Sequence, residues 1–170
     1  MIKVGILTVS DRSAAGERGD ASGPALIQAV TEHLPHAVIA LSAIVPDDQV
    51  SIASLLVEWS DRQQLDLILT TGGTGFAPRD VTPEATRAVL HREAPGLAEA
   101  MRADGLRVTP HAVLSRAVTG IRGRTLIINL PGSPKGAVEN LATVLSILPH
   151  AIELLREEPE AEEHHVKRKA

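Results

Sequence analysis

Short apolar runs alternate with amphipathic segments over the first part of the chain. Three runs rich in Val, Ile and Leu have the length and β-branched content of buried strands: Lys3–Ser10, Ala37–Val45 and Asp66–Thr71. Between them, apolar residues recur at helical spacing after Ser22 and over Gln49–Arg62. This alternation predicts a parallel sheet with helices on both faces, joined by right-handed crossovers.

The second part of the chain continues the pattern. Two helices and then two strands are predicted, over Thr82–His91, Pro95–Ala103, Ser115–Ile121 and Thr125–Leu130, with a turn between Gly120 and Gly123. Ser22 and Thr82 are the expected caps of their helices, and Asp47 or Asp48 caps the helix that begins at Gln49. A last helix opens at Pro131–Gly136 and restarts near Pro149.

Length and composition narrow the classes of protein. The chain has 170 residues and a net charge of -4, which predicts one domain over residues 1–156 followed by a charged, disordered tail over residues 157–170. Zero Cys excludes thiol chemistry and thiolate metal sites, and 1% aromatic content removes the base-stacking platform of nucleic-acid binders. No apolar run is long enough for a membrane span, so the cytoplasm is the expected location.

Candidate chemistry gathers where strands end. Ser10–Asp11, Pro46–Asp48, Gly72–Gly75 and Pro131–Ser133 each follow a predicted strand. Parallel α/β sheets bind ligands beyond the carboxyl ends of their strands. The four segments therefore predict one shared cleft.

Two of these segments suit anions. The glycines of Thr71–Gly75 let backbone N–H groups turn toward a phosphate, and Gly132–Lys135 combines a helix N-terminus with a lysine. Neither matches a Walker A loop or a dinucleotide fingerprint. An ordinary strand-to-helix turn and a simple Ser133 cap are the alternatives.

Carboxylates complete the candidate chemistry. Asp47, Asp48 and Asp80 stand beside the predicted phosphate sites, where one or two carboxylates commonly hold Mg²⁺. Helix capping by Asp47 or Asp48 and an ion pair between Arg79 and Asp80 are the alternatives. The residues thus predict a Mg²⁺-assisted enzyme or binder with two anion subsites, for a nucleotide and a second phosphate compound.

A set of ordered motifs resembles the molybdopterin adenylyltransferase family. The motifs are Thr8–Arg12, Pro46–Asp48, Thr70–Gly75 with Pro78–Thr86, Leu114–Ala117 and Asn129–Gly136. The resemblance implies a three-layer α/β/α fold of the molybdopterin-binding type, with a mostly parallel central sheet. It also implies transfer of AMP from ATP to the terminal phosphate of molybdopterin, with release of pyrophosphate.

The resemblance also implies residue roles. Asp47 and Asp80 are the expected catalytic residues and Mg²⁺ ligands. The expected nucleotide-binding residues are Ser10, Asp11, Thr71, Gly72, Gly73, Thr74 and Gly75. The expected molybdopterin-binding residues are Ser115, Arg116, Pro131, Gly132, Ser133 and Lys135. Arg79, Arg116 and Lys135 are candidates for screening the repulsion between the two anionic substrates.

A homotrimer and a downstream molybdate-insertion enzyme as partner follow from the same resemblance. Three other functions remain open at this point. One is a non-catalytic molybdopterin carrier, another is a relative that has lost activity, and the third is a nucleotide pyrophosphatase on the same fold.

Overall fold

The computed structural model describes residues 1–157. Within that range six strands form one sheet in the order β2-β1-β3-β6-β5-β4. They are β1 (Ile2–Val9), β2 (Ala37–Val45), β3 (Leu67–Thr71), β4 (Arg92–Glu93), β5 (Thr119–Arg122) and β6 (Thr125–Leu130). β2, β1, β3 and β6 are parallel, whereas β5 is antiparallel to both of its neighbours. The predicted mostly parallel sheet is confirmed.

Helices connect the strands. They are α1 (Asp11–Ala14), α2 (Ser22–His33), α3 (Gln49–Val57), α4 (Thr82–Val89), α5 (Pro95–Gly105), α6 (Pro134–Leu145) and α7 (Leu148–Leu155). A π-helical turn, Glu58–Arg62, extends α3, and a 3-10 helix, Pro110–Leu114, follows α5. The break between α6 and α7 lies where Pro149 predicts a restart, because proline is tolerated only in a first turn.

Two hydrophobic cores cover the two faces of the sheet. Alternate residues of each strand point to opposite faces, so Leu67 and Leu69 enter one core while Ile68 enters the other. The first core includes α2, α5, α6 and α7, and the second includes α3, α4 and Trp59. The three-layer α/β/α arrangement is therefore confirmed.

The predicted strand over Ser115–Ile121 begins only at Thr119. The backbone before it hydrogen-bonds elsewhere: the Arg116 N–H donates to the Thr74 carbonyl oxygen (2.9 Å) and the Val118 N–H to Asn129 Oδ1 (3.1 Å). The turn falls at Gly123, which has a φ of +57°. Gly120 belongs to β5.

The prediction that Ser22 caps α2 is wrong. Ser22 is the first residue of the helix, and the Gly23 N–H donates instead to Asp20 Oδ1 (3.0 Å). Asp48, in contrast, caps α3 as predicted, because its carboxylate accepts from the Ser51 N–H (2.8 Å). The short elements α1 and β4 have no counterpart in the sequence prediction, since neither is long enough to show a period.

The predicted disordered tail over residues 157–170 lies, apart from Glu157, outside the described residues. Along residues 1–157, no single helix is long and apolar enough to cross a membrane. The pair α6 and α7 reaches the required length and composition only together, across a bend of 64°.

Candidate active site

The carboxyl ends of the four parallel strands meet at one edge of the sheet. Strand register aligns Thr71 of β3 with Leu130 of β6. The next residues are consequently neighbours: the Gly72 N–H donates to the Leu130 carbonyl oxygen (3.2 Å), and the Ser10 N–H donates to that of Val45 (2.9 Å). The four polar segments predicted from the sequence therefore border a common cleft.

The glycine loop after β3 needs its glycines. Gly72 and Gly73 have φ values of +104° and +64°, in the region that side chains disfavour. A β-carbon on Gly72 would collide with the Val9 carbonyl oxygen, and one on Gly73 would collide with the Thr82 hydroxyl. The loop thus presents bare backbone to the cleft, as an anion-binding loop requires.

Thr82 supports this loop from below. Its hydroxyl donates to the Gly72 carbonyl oxygen (2.9 Å), and its own N–H donates to the Gly73 carbonyl oxygen (3.1 Å). No side chain caps α4, so the prediction of Thr82 as its cap is wrong. A contact to a residue ten positions earlier outweighs the local capping preference.

Asp11 and Asp47 exchange hydrogen bonds between the loops after β1 and β2. The Asp11 N–H donates to Asp47 Oδ2 (2.9 Å), and the Asp47 N–H donates to Asp11 Oδ1 (3.0 Å). Arg79 donates to the same Asp11 carboxylate from Nε (2.9 Å) and Nη2 (2.8 Å), and this hydrogen bonding lowers the pKa of Asp11. The Asp11 carboxylate, predicted to bind nucleotide, is therefore directed at Arg79.

Asp47 has the opposite electrostatic surroundings. Burial raises the pKa of Asp47, and the charges of Asp11 and Asp80 raise it further. The Asp11 amide and Arg79 act in the other direction but do not reverse the shift. A cation bound beside Asp47 would favour its ionised form.

Asp80 lies on the loop between β3 and α4. Its Oδ2 accepts from the Ala77 N–H (3.0 Å) and would stand 2.9 Å from a β-carbon on Gly75. The alternative of an Arg79–Asp80 ion pair is not what forms, because the Arg79 guanidinium binds Asp11.

The two aspartates suit a Mg²⁺ ion that shares its ligands with a substrate. Asp47 and Asp80 each keep Oδ1 without a hydrogen-bond partner among residues 1–157. No group of three or more metal-binding side chains occurs in that range. Mg²⁺ usually takes one or two carboxylates together with phosphate oxygens and water. The residues present therefore fit a substrate-bridged ion.

The cleft divides into two chambers. The first chamber, about 380 Å³, is lined by residues that include Ser10, Asp47, Thr71 and Gly72. The second chamber, about 440 Å³, is lined by residues that include Thr74, Gly75, Ser115 and Pro131. Four residues line both: Gly73, Asp80, Gly132 and Ser133. Ser10, Thr71 and Gly72, predicted for the nucleotide, thus line the first chamber alone, and Ser115 and Pro131, predicted for molybdopterin, line the second alone. Thr74 and Gly75, predicted for the nucleotide, line the second chamber instead, and Asp11 lines neither.

Two basic residues predicted to bind molybdopterin point elsewhere. Arg116 donates to the carbonyl oxygens of Gly75 (2.7 Å) and Asp80 (2.6 Å), and it forms an ion pair with Glu84. Lys135 is 80% exposed and lies 3.7 Å from Glu139. Neither residue lines a chamber.

Ser133 caps a helix, which the sequence analysis gave as the alternative to anion binding. Its hydroxyl accepts from the Gly136 N–H (3.1 Å) and caps α6, whose first residue is Pro134. The cap still leaves Ser133 on the wall between the chambers.

Several residues that line the chambers were not among the predicted site residues. Thr8, Arg18 and Asp20 line the first chamber, and Thr8 Oγ1 donates to Asp20 Oδ2 (2.7 Å). Asp20 precedes Ser22–Gly23 at a helix start, which is a detectable capping signal. Met101, Arg102, His111 and Asn140 line the second chamber. Their spacing is that of ordinary helix and core residues, so no local signal marks them.

A model of the family described as probable molybdopterin binding domain matches residues 5–150. The chain belongs to this family. Among solved structures, the molybdopterin biosynthesis enzyme MoaB from Thermus thermophilus has a TM-score of 0.88 and 56% sequence identity, over 94% of this chain and 99% of that chain.

Curated relatives include proteins that the chain covers almost entirely and much longer proteins. Molybdopterin adenylyltransferase of Helicobacter pylori strain J99 is 42% identical over 91% of this chain and 88% of its own length. The molybdenum cofactor synthesis protein cinnamon of Drosophila melanogaster is 46% identical over 91% of this chain. The chain spans only 26% of the length of that protein.

Proposed function

We propose that this chain is an enzyme of molybdenum cofactor biosynthesis. It transfers AMP from ATP to the terminal phosphate of molybdopterin in a Mg²⁺-dependent reaction. The observation that carries the proposal is the pair of chambers that share Asp80, Gly73, Gly132 and Ser133. Two phosphorylated substrates held in such chambers would bring their phosphates together at one wall.

The nucleotide belongs in the first chamber and molybdopterin in the second. In the first chamber, Ser10, Thr71 and the glycine loop offer hydroxyl and backbone donors for phosphates. The second chamber adds apolar walls from Met101 and Leu114, which suit a flat ring system. Molybdopterin is named in the family description, and adenylyl transfer in the name of the Helicobacter pylori relative.

The reaction is an in-line displacement. An oxygen of the molybdopterin phosphate forms a bond to the α-phosphorus of ATP. The bond between that phosphorus and the bridging oxygen breaks, and pyrophosphate leaves with its electron pair. The chain contributes alignment of the two phosphates and backbone donors for the charge that develops on the transferred group.

Asp47 and Asp80 would hold the Mg²⁺ ion through their Oδ1 atoms. When bound, the ion supplies neutralisation of phosphate charge and polarises the α-phosphate. Two further cations line the chambers themselves: Arg18 in the first and Arg102 in the second. They are better placed than Arg79, Arg116 and Lys135 to reduce repulsion between the substrates.

The assembly and location implied by the resemblance remain part of the proposal. Leu106, Val108 and Val113 are 48%, 62% and 58% exposed beside the second chamber. A homotrimer would cover this apolar patch. The proposed location is the cytoplasm, and a molybdate-insertion enzyme would receive the product. Sedimentation equilibrium of the purified chain would test the trimer.

The direct test incubates the purified protein with molybdopterin, ATP and Mg²⁺ and measures adenylated molybdopterin by chromatography and mass. The expected result is one adenylated product and one pyrophosphate for each ATP consumed, with no reaction in the presence of EDTA. Tight pterin binding without product would indicate a carrier or an inactive relative. ATP cleavage without the pterin adduct would indicate a pyrophosphatase.

A further inference from the structure

Arg79 connects the loops that carry the two candidate metal-binding aspartates. Its guanidinium forms a two-point contact with Asp11, at 2.9 Å and 2.8 Å. Asp11 in turn exchanges two backbone-to-carboxylate hydrogen bonds with Asp47. Since Arg79 directly precedes Asp80, one chain of contacts joins the loops after β1, β2 and β3.

The loop that carries Asp80 has few other attachments toward β1 and β2. Residues 76–79 are exposed, and the paired hydrogen bonds between Ala77 and Asp80 are internal to the loop. Arg116 holds the Asp80 carbonyl oxygen from the side of the second chamber. Among residues 1–157, the hydrogen bonds from Arg79 to Asp11 are the ones that attach residues 76–80 to the loop after β1, on the side of the first chamber.

We propose that Arg79 is a positioning residue that sets the separation of Asp47 and Asp80 through Asp11. This inference rests on the proposed function, because the separation matters only if both carboxylates act on one ion. Arg79 acts through protein contacts and needs no contact with either substrate.

The geometry distinguishes positioning from simple charge. A guanidinium presents two parallel N–H groups to a carboxylate, whereas a lysine ammonium is a point charge that cannot reproduce this fork. The Arg79 side chain is 66% exposed, and exposed ion pairs contribute little to the stability of a protein. Loss of Arg79 should therefore change the site much more than the stability of the fold.

The test compares Arg79→Ala, Arg79→Lys and Asp11→Asn with the wild-type chain. Arg87→Ala is the matched control, because the Arg87 side chain on α4 is 55% exposed, pairs with Glu93 of β4 at 3.4 Å and lies outside both chambers. Three quantities are measured: kcat of AMP transfer, Mn²⁺ affinity in the presence of α,β-methylene ATP, and Tm. The second does not depend on turnover.

We expect Arg79→Ala to weaken Mn²⁺ binding about 10–100-fold, as loss of a residue that orients a metal ligand does. The kcat should fall about 10²-fold from misplacement of the reacting groups. Arg79→Lys should not restore either quantity. Asp11→Asn should show a similar loss. A double variant that combines Asp11→Asn with Arg79→Ala should be no worse than Arg79→Ala alone, since both substitutions act on one contact. Arg87→Ala should match the wild type.

Full rescue by Arg79→Lys would overturn the proposal and indicate a role through charge. Wild-type Mn²⁺ affinity in Arg79→Ala would overturn it as well. If the wild-type chain binds Mn²⁺ with the nucleotide analogue but forms no adenylated molybdopterin, the proposed function fails while the Arg79 comparison remains decisive. Failure of the wild-type chain to bind Mn²⁺ with the analogue would overturn both.

Discussion

Two pairs of aspartates at opposite ends of the sheet, Asp61 with Asp66 and Asp47 with Asp80, have opposite surroundings. At the amino end, Asp66 accepts from Arg156 Nε (2.9 Å) through Oδ1 and from the Lys3 N–H (2.7 Å) through Oδ2. Asp61 receives a two-point contact from Arg122 in the same region. At the carboxyl end, Asp47 and Asp80 each accept one backbone hydrogen bond and leave Oδ1 open among residues 1–157.

This difference separates carboxylates that hold the fold together from carboxylates kept for a ligand. A partly buried carboxylate costs free energy when one of its oxygens has no hydrogen-bond donor, so the fold gains nothing from the open oxygens of Asp47 and Asp80. The pKa of Asp47 is raised, first of all by burial, which means that the folded protein disfavours the ionised carboxylate. We therefore expect variants at the two ends to affect different quantities.

The largest effect should come from Asp80→Asn. It removes a charge from the wall that both chambers share, so AMP transfer should fall by about 10²–10³-fold or more. Tm should stay at the wild-type value, because Asn keeps the acceptor for the Ala77 N–H. The measurement pairs an AMP-transfer assay with thermal unfolding. Near-wild-type turnover would remove Asp80 from the mechanism.

Gly73→Ala should be the next largest. A β-carbon there would collide with the Thr82 hydroxyl and approach Asp47 Oδ1 at 3.0 Å, on a backbone with φ of +64°. We expect AMP transfer to fall about 10²-fold and stability to fall by about 1–2 kcal/mol. Gly96→Ala is the control, because no atom lies within 4 Å of its added β-carbon. Equal activity of the two variants would show that the loop backbone does not meet substrate.

Asp66→Asn should lower the stability of the fold and leave activity unchanged, the opposite of the result expected for Asp80→Asn. It weakens the contacts of Asp66, whose side chain is only 12% exposed, with Arg156 and the Lys3 N–H. The free energy of unfolding should fall by about 1.5–3 kcal/mol, the range for hydrogen bonds to charged groups. AMP transfer by the folded protein should be unchanged. Urea unfolding measures the first quantity, and a loss of kcat below the unfolding midpoint would contradict the comparison.

The smallest effect concerns pH and stability. Burial raises the pKa of Asp47 above its unfolded value, so ionised Asp47 destabilises the fold at neutral pH, and this cost disappears as pH falls below the ordinary aspartate pKa. Hydrogen bonding from Arg79 lowers the pKa of Asp11, so ionised Asp11 stabilises the fold at neutral pH, and this contribution is lost as pH falls through the lowered pKa. Asp47→Asn should raise Tm at pH 7 and Asp11→Asn should lower it, with both differences shrinking in acid. A lower Tm for Asp47→Asn at pH 7 would contradict this assignment.

The sequence was sufficient for the parallel strands and for the convergence of their ends. Each strand is a dense apolar run, and a parallel sheet brings the residues after such runs to one edge. Side-chain hydrogen bonds between residues distant in the sequence could not be predicted from it. Thr82 binds Gly72, Arg79 binds Asp11, and Arg116 binds the loop around Gly75, each against a local expectation.

The lining of the second chamber could not be predicted from the sequence either. Met101 and Asn140 have the spacing of ordinary helix residues, so only tertiary packing reveals that they border a cavity. The resemblance pointed to Arg79, Arg116 and Lys135 as the cations beside the substrates, whereas the arginines that line the two chambers are Arg18 and Arg102, which no motif marks.

The most direct test is a crystal structure with Mn²⁺ and α,β-methylene ATP, which cannot be cleaved between its α- and β-phosphates. Anomalous scattering locates the manganese without reference to a model. The account predicts one Mn²⁺ ion bound by Asp47 and Asp80, with the nucleotide phosphates against Gly72 and Gly73 in the first chamber. Manganese bound only beside Asp61 and Asp66, or a nucleotide outside the first chamber, would contradict it.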